Sequence, residues 1–183
     1  MNIKEIGAYL RVRGEMDEET ERLIRTVYPI AEGTLHRISD RRFGLVRTKE
    51  GLRLSGTDVT LRGELAARHF VECDEVYVVL LTMGMESERN IKSTYALSPT
   101  KGLVLDACYS EAIERRLDAY EEEKRKDGDR LTSRISCGYG DLPLETQGPL
   151  LRLLSPEKIG VYQNESFMLV PNKSVVAIVG IKR

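Results

Sequence analysis

The chain has 183 residues, with 28 Lys and Arg against 29 Asp and Glu and a net charge of -1. Such a balance offers no basic surface for nucleic acid or for an anionic membrane, and no window approaches the roughly 20 apolar residues of a membrane span. Hydrophobic residues make up 41% and charged residues 31%, which suits a soluble globular chain with one core-bearing domain: a helical N-terminal part over 1–33 and a main α/β body over 34–183.

Residues 1–15 carry Lys4, Glu5, Arg11, Arg13 and Glu15 and lack an apolar run, so no secretory leader is expected. Ile3, Ile6 and Leu10 set a helical period over Asn2–Arg13, with Gly14 as the stop. A second helix is predicted over Asp17–Ala31, with acids at its positive pole and Leu23, Val27 and Ile30 as its stripe. From Thr34 the period moves towards two. Short strands are expected at Leu35 and Ile38, at Phe43–Val46 and at Leu52–Leu54, with Lys49-Glu50-Gly51 as a hairpin turn. Val59–Leu61 reads as a further strand before a helix over Arg62–Phe70, where His69 sits at the negative pole. Glu75–Thr82 contains the continuous run Val76–Leu81, as in a strand covered on both faces. Met83-Gly84 leads into a helix from about Glu86. The longest helix is expected over Gly102–Lys126, with Leu105, Cys108, Ala112, Leu117 and Tyr120 inward, a solvated charge run from Glu121 to Lys126, and Asp127-Gly128-Asp129 as the stop.

The most informative stretch is Arg134-Ile135-Ser136-Cys137-Gly138-Tyr139-Gly140-Asp141-Leu142-Pro143. In an extended chain Arg134, Ser136 and Gly138 point one way, and Ile135, Cys137 and Tyr139 point the other. One face therefore offers a guanidinium able to grip a carboxylate, a hydroxyl, and bare main chain that a ligand can approach. The glycines then break the strand into a loop. The same residues also suit a plain strand that ends in a turn, with Arg134 in a surface ion pair. Helices are expected at Leu144–Leu154 and after Ser155-Pro156, where Ser155 is the cap. Strands are expected at Val161–Tyr162, Phe167–Val170 and Ser174–Ile181, with Pro171-Asn172-Lys173 as a turn.

Cys73, Cys108 and Cys137 are widely spaced and read as reduced thiols in a cytoplasm. Cys137 reads as a small packed residue, because a reactive thiolate needs an electropositive setting and no histidine lies near it in sequence. An independent enzyme acting through Cys137 is the alternative. Neither His36 nor His69 has partners at a metal-ligand spacing, and no phosphate-binding glycine loop or dinucleotide fingerprint is present.

Arg134-x-x-x-Gly138-Tyr139-x-x-x-Pro143 resembles the S-adenosylmethionine-binding motif of the activation domain of cobalamin-dependent methionine synthase. The likeness continues in register through Leu153-Leu154, Glu157-Lys158, Gly160 and Glu165-Ser166-Phe167-x-x-x-Pro171-x-x-Ser174-Val175. Asp106–Ala112 is loosely similar to that family's long helix. The resemblance implies an α+β fold, a twisted antiparallel sheet with flanking helices. It implies S-adenosylmethionine as ligand, with Arg134 on its carboxylate, main-chain contacts from Ser136 and Gly138, and Tyr139 shaping the loop. It also implies a role in reactivation rather than independent catalysis. The partner would be the cobalamin-binding part of a methionine synthase that lacks its own activation domain, and a flavodoxin-like donor would supply the electron. No Asp-x-His-x-x-Gly corrinoid signature is present, so cobalamin is expected only on the partner. The family continues past its last strand with a segment whose tyrosine covers the ligand, whereas this sequence stops at Arg183. A docking module with a lost or different ligand is therefore the alternative that the resemblance leaves open.

Overall fold

Capped helices open the computed structural model, which describes residues 1–183. Asn2 caps α1 (Ile3–Tyr9) and Asp17 caps α2 (Glu18–Gly33), each side chain accepting a main-chain N–H three residues on. There follow β1 (Arg37–Thr48), β2 (Gly51–Leu54), β3 (Thr60–Leu61), α3 (Glu64–His69), β4 (Cys73–Thr82), α4 (Gly84–Leu97), α5 (Pro99–Lys126) and β5 (Leu131–Ile135). A 3-10 turn at Leu144–Thr146 enters α6 (Gln147–Leu153), and a second 3-10 turn covers Pro156–Ile159. The chain ends with β6 (Tyr162–Gln163), β7 (Leu169–Val170) and β8 (Ser174–Lys182). No helix is long and apolar enough to cross a membrane.

Six strands form one antiparallel sheet in the order β3-β2-β1-β4-β8-β5, and β6 and β7 pair as a separate ribbon. The expected α+β architecture is the one observed. β4 lies inside the sheet, and the apolar run Val76–Leu81 is buried on both faces as its sequence implied. Tyr77, Val79 and Leu81 join Val179 and Ile181 of β8 against α1, α2 and α5. Val76, Val78 and Leu80 join Val176 and Ile178 against α3, α6 and the 137–142 loop. Each such aliphatic side chain contributes roughly 1.5–3 kcal/mol relative to exposure. The five residues expected along the inner stripe of the long helix are all buried.

Glu111 of α5 fixes how the first two helices dock. Its buried carboxylate accepts the Tyr28 hydroxyl at 2.8 Å and the Asn2 main-chain N–H at 2.7 Å. Its position selects the face of α2 that packs. Ile24, Val27, Tyr28 and Ala31 are buried there, and Ile30, expected inside, is exposed. α1 stops at Tyr9 rather than running on to Arg13, because Arg11 takes a positive φ of 57° and the Val12 N–H turns back to the Gly7 carbonyl at 3.0 Å.

Two further differences follow from pairing and backbone geometry. The strands expected around Ile38 and Phe43–Val46 are one long strand, β1, because β4 and β2 supply a continuous hydrogen-bonding partner along it; Leu35 lies outside it and is exposed. Ser155 does not cap a helix. It sits in the left-handed region at φ 50°, makes no capping bond, and leads only into a 3-10 turn.

Candidate functional site

β5 pairs with β8 so that Arg134 lies opposite Val179 and Ile135 opposite Ile178. Val179 belongs to the α5 face of the sheet and Ile178 to the other. Strand alternation therefore delivers Arg134 beneath α5 and packs Ile135 away from it. α5 presents Glu114, Asp118 and Glu121 there, spaced i, i+4 and i+7 on one helical face. Nε of Arg134 at 3.1 Å and Nη2 at 2.7 Å both donate to Oε2 of Glu114. Nη1 donates to Oδ1 of Asp118 at 2.7 Å and to Oε1 of Glu121 at 2.8 Å. Burial works against the charge on Arg134, but the bonds to Glu121, Glu114 and Asp118 outweigh it and raise the pKa of the guanidinium.

α1 brings two more groups within electrostatic reach of Arg134. The Tyr9 phenol is pushed up to about 12 by burial and then by the charges of Glu114 and Glu5 and by Tyr139, against the pull of Arg134. The Glu5 carboxyl is raised by burial and then by Glu111, Glu114 and Asp118. The local balance is one guanidinium among the carboxylates of Glu5, Glu114, Asp118 and Glu121, with two tyrosines beside them. Of this set the sequence reading had only Arg134 and Tyr139. It placed Glu121 in a solvated charge run, yet Glu121 is only 5% exposed and also accepts from Arg125 at 3.0 Å.

Beyond Ile135 the ladder ends and the chain turns. Gly138 at φ 88° and Gly140 at φ 54° occupy the left-handed region that glycine enters without a Cβ penalty. The Gly138 N–H donates to the Leu142 carbonyl at 2.9 Å, the Tyr139 N–H to Ser136 at 3.2 Å, and the Leu142 N–H to Tyr139 at 3.0 Å. The main chain of Ser136 and Gly138, expected to face a ligand, thus holds the loop closed upon itself; each carbonyl has a second lone pair. Tyr139 does not continue the alternation into the packed face. The glycine turn swings it out, and it is 66% exposed. Cys137 is packed, as expected, at 8% exposure, and burial pushes its thiol up to about 12.

The surplus of carboxylates around one guanidinium attracts cationic groups. One N–H of Arg134, of the five on a guanidinium, is left over after the bonds to the three carboxylates. Cationic groups have the surrounding acids, and an aromatic face is available from Tyr9 and Tyr139. The observed grip on Arg134 by three carboxylates is also the ion pair that the plainer sequence reading allowed, although it is half-buried rather than at the surface.

The fold is that of an α+β protein built on a six-stranded antiparallel sheet with helices on both faces. It matches the fold of a methionine synthase reactivation domain. The chain is similar to the crystal structure of the MetH reactivation domain bound to AdoHcy, with a TM-score of 0.73 and 17% identity over 96% of this chain and 72% of that one. At that identity the likeness establishes the fold. No protein-family profile and no curated protein sequence matches the chain.

Proposed function

We propose that this chain is a stand-alone reactivation module that binds S-adenosylmethionine beside Arg134, where α1, α5 and the Gly138–Tyr139 loop meet. It would present the ligand to the cobalamin-binding part of a methionine synthase lacking its own activation domain. The observation that carries the reading is a conjunction. Arg134-x-x-x-Gly138-Tyr139 lies at the end of an edge strand, in a fold shared with a domain solved with AdoHcy. Arg134 and its remaining N–H hold the ligand carboxylate. Glu114, Asp118 and Glu5 face the ammonium and sulfonium groups. Tyr139, exposed on the loop, lies against the adenosyl part. The ligand would supply the methyl group and leave as AdoHcy, and a flavodoxin-like donor would supply the electron that the partner's cobalamin needs to accept it. The chain itself binds and orients, and the proposal places it in a cytoplasm. Calorimetric titration with S-adenosylmethionine, repeated with Arg134→Lys, tests the assignment. Saturable binding that weakens in the variant supports it, and unchanged affinity removes Arg134 from the site.

A second reading is favoured by one specific observation. Four hydrogen bonds already occupy Arg134, and the Gly138 and Tyr139 N–H groups are bonded within the loop. A module that docks on a corrinoid protein without its own ligand would look the same. Capture of a purified corrinoid protein, with no heat on addition of S-adenosylmethionine, is its signature.

A further inference from the structure

The binding segment is not supported by the sheet alone. Asp141 follows the loop, and its carboxylate reaches 77 residues back in sequence to accept the main-chain N–H of Glu64 at 2.6 Å; it also accepts that of Leu65 at 2.9 Å. These are the free donors at the first turn of α3. The bonds from Leu65 and Glu64 hold the Asp141 carboxyl below its ordinary pKa. At the other end of α3, Nε2 of His69 lies 2.7 Å from the Ser133 carbonyl. A carbonyl only accepts, so this nitrogen carries the proton. Between these two ties the Leu65 side chain lies 3.3 Å from where a Gly140 Cβ would stand. Gly63 is required for the closeness of the first tie. It has φ 100°, and a Cβ there would lie 2.6 Å from the Asp141 carbonyl oxygen and 2.7 Å from its Oδ1. An open groove of about 480 Å³ runs along this seam, lined by Glu64, Leu65, Arg68, His69, Gly140 and Asp141.

We infer that α3 is a splint for the ligand-binding segment. It is fastened at Ser133 and at Asp141, so the residues it brackets are those of the site: Arg134, Ser136, Gly138 and Tyr139. Asp141 and His69 are positioning residues. Neither needs to touch the ligand; each fixes one end of the nine-residue span that would. The physical need is plain. β5 has only one sheet neighbour, β8, and its ladder ends at Ile135. The loop has its own three hydrogen bonds and the buried Cys137 and Leu142, and the ties to α3 remove freedom that would otherwise remain at its two ends and cost affinity through the entropy of ordering. The inference rests on the proposed binding of S-adenosylmethionine only for its functional consequence; the splint itself is read from the contacts.

The test uses the full chain and two independent readouts. Amide hydrogen exchange at Gly138, Tyr139 and Leu142 reports the splint without any ligand. Calorimetry with S-adenosylmethionine reports the consequence. Asp141→Ala and, from the α3 side, Gly63→Ala should each speed exchange of those three amides about fivefold, the scale of a lost helix cap, while the α5 and β4 amides stay protected. Affinity should fall by about the same factor, and Asp141→Asn, which keeps a side-chain acceptor, should restore most of both. Unchanged exchange in Asp141→Ala and Gly63→Ala overturns the splint. Faster exchange with undiminished affinity overturns the positioning role. If the parent chain fails to bind the ligand while the exchange response is intact, the binding proposal fails and the role with it, but the splint stands.

Discussion

Replacing Arg134 with alanine should cost this protein stability before it costs any function. The side chain makes four hydrogen bonds to three carboxylates. Removing it leaves Glu114, Asp118 and Glu121 as like charges on one face of α5, and Glu121 is almost wholly buried. Breaking a fully buried pair costs about 3–5 kcal/mol. Here the side chain of Asp118 is 65% exposed and that of Arg134 24%, so solvent screening discounts the figure to about 2–3 kcal/mol. For a chain of this size each kcal/mol moves the melting temperature by about 2–4 °C, so a drop of roughly 5–10 °C is expected. Thermal denaturation followed by circular dichroism reads it directly. The double variant Arg134→Ala with Glu114→Gln should regain part of the loss, because Glu114 is bonded by Arg134 alone and its unpartnered charge is gone, whereas Glu121 keeps Arg125. A drop of less than about 2 °C, or no recovery in the double variant, would refute the view that the cluster is a half-buried staple.

Three other outcomes follow from the packing and the charges. Gly180→Ala should destabilise by about 1–3 kcal/mol, read by urea unfolding, because its Cβ would stand 2.6 Å from Sγ of Cys73 and 2.7 Å from Cδ1 of Phe70. Cys137 should resist alkylation in the folded chain at pH 8, since burial pushes its thiol up to about 12, and mass spectrometry after iodoacetamide shows it; rapid labelling would revive a nucleophile. Asp118→Asn should narrow the preference for S-adenosylmethionine over AdoHcy. The loss of one unit charge from a largely solvated site is worth about 0.5–1 kcal/mol, or roughly two- to fivefold in the affinity ratio.

Legibility in the sequence tracked how local each determinant is. The run Val76–Leu81 and the inner stripe of α5 carry their burial in their own pattern, and both were found. The hairpin at Lys49-Glu50-Gly51 was likewise local, with Thr48 pairing to Gly51. The length of β1 was not local. Arg37, Arg41, Arg42 and Arg47 interrupt its apolar pattern, and only pairing with β4 and β2 shows one strand. The facing side of α2 was set by Glu111, about 80 residues away, and no periodicity within α2 could reveal it. At the site, Arg134 stands out as a cation on an alternating strand, but of its partners only Glu121 is touched by the sequence pattern, as part of a solvated helix end, and Glu114 and Asp118 are not singled out. A signal was present in the i, i+4, i+7 spacing of Glu114, Asp118 and Glu121, which is an acidic stripe beside the apolar one. What pointed those acids at Arg134 was the β5–β8 register, a long-range fact. The alternation of Arg134 to Tyr139 failed at its last residue because Gly138 takes a positive φ. The tie from Asp141 to α3 left no mark in sequence beyond Gly63 and Asp141 themselves.

The most direct test of the account is isothermal titration of the purified chain with S-adenosylmethionine, with AdoHcy as the comparison. Saturable binding of S-adenosylmethionine at one site per chain, tighter than that of AdoHcy, is what the proposed site among the acids around Arg134 predicts. Absence of heat at millimolar ligand, in a chain that is folded by circular dichroism, would contradict it and leave the ligand-free docking module as the reading to pursue.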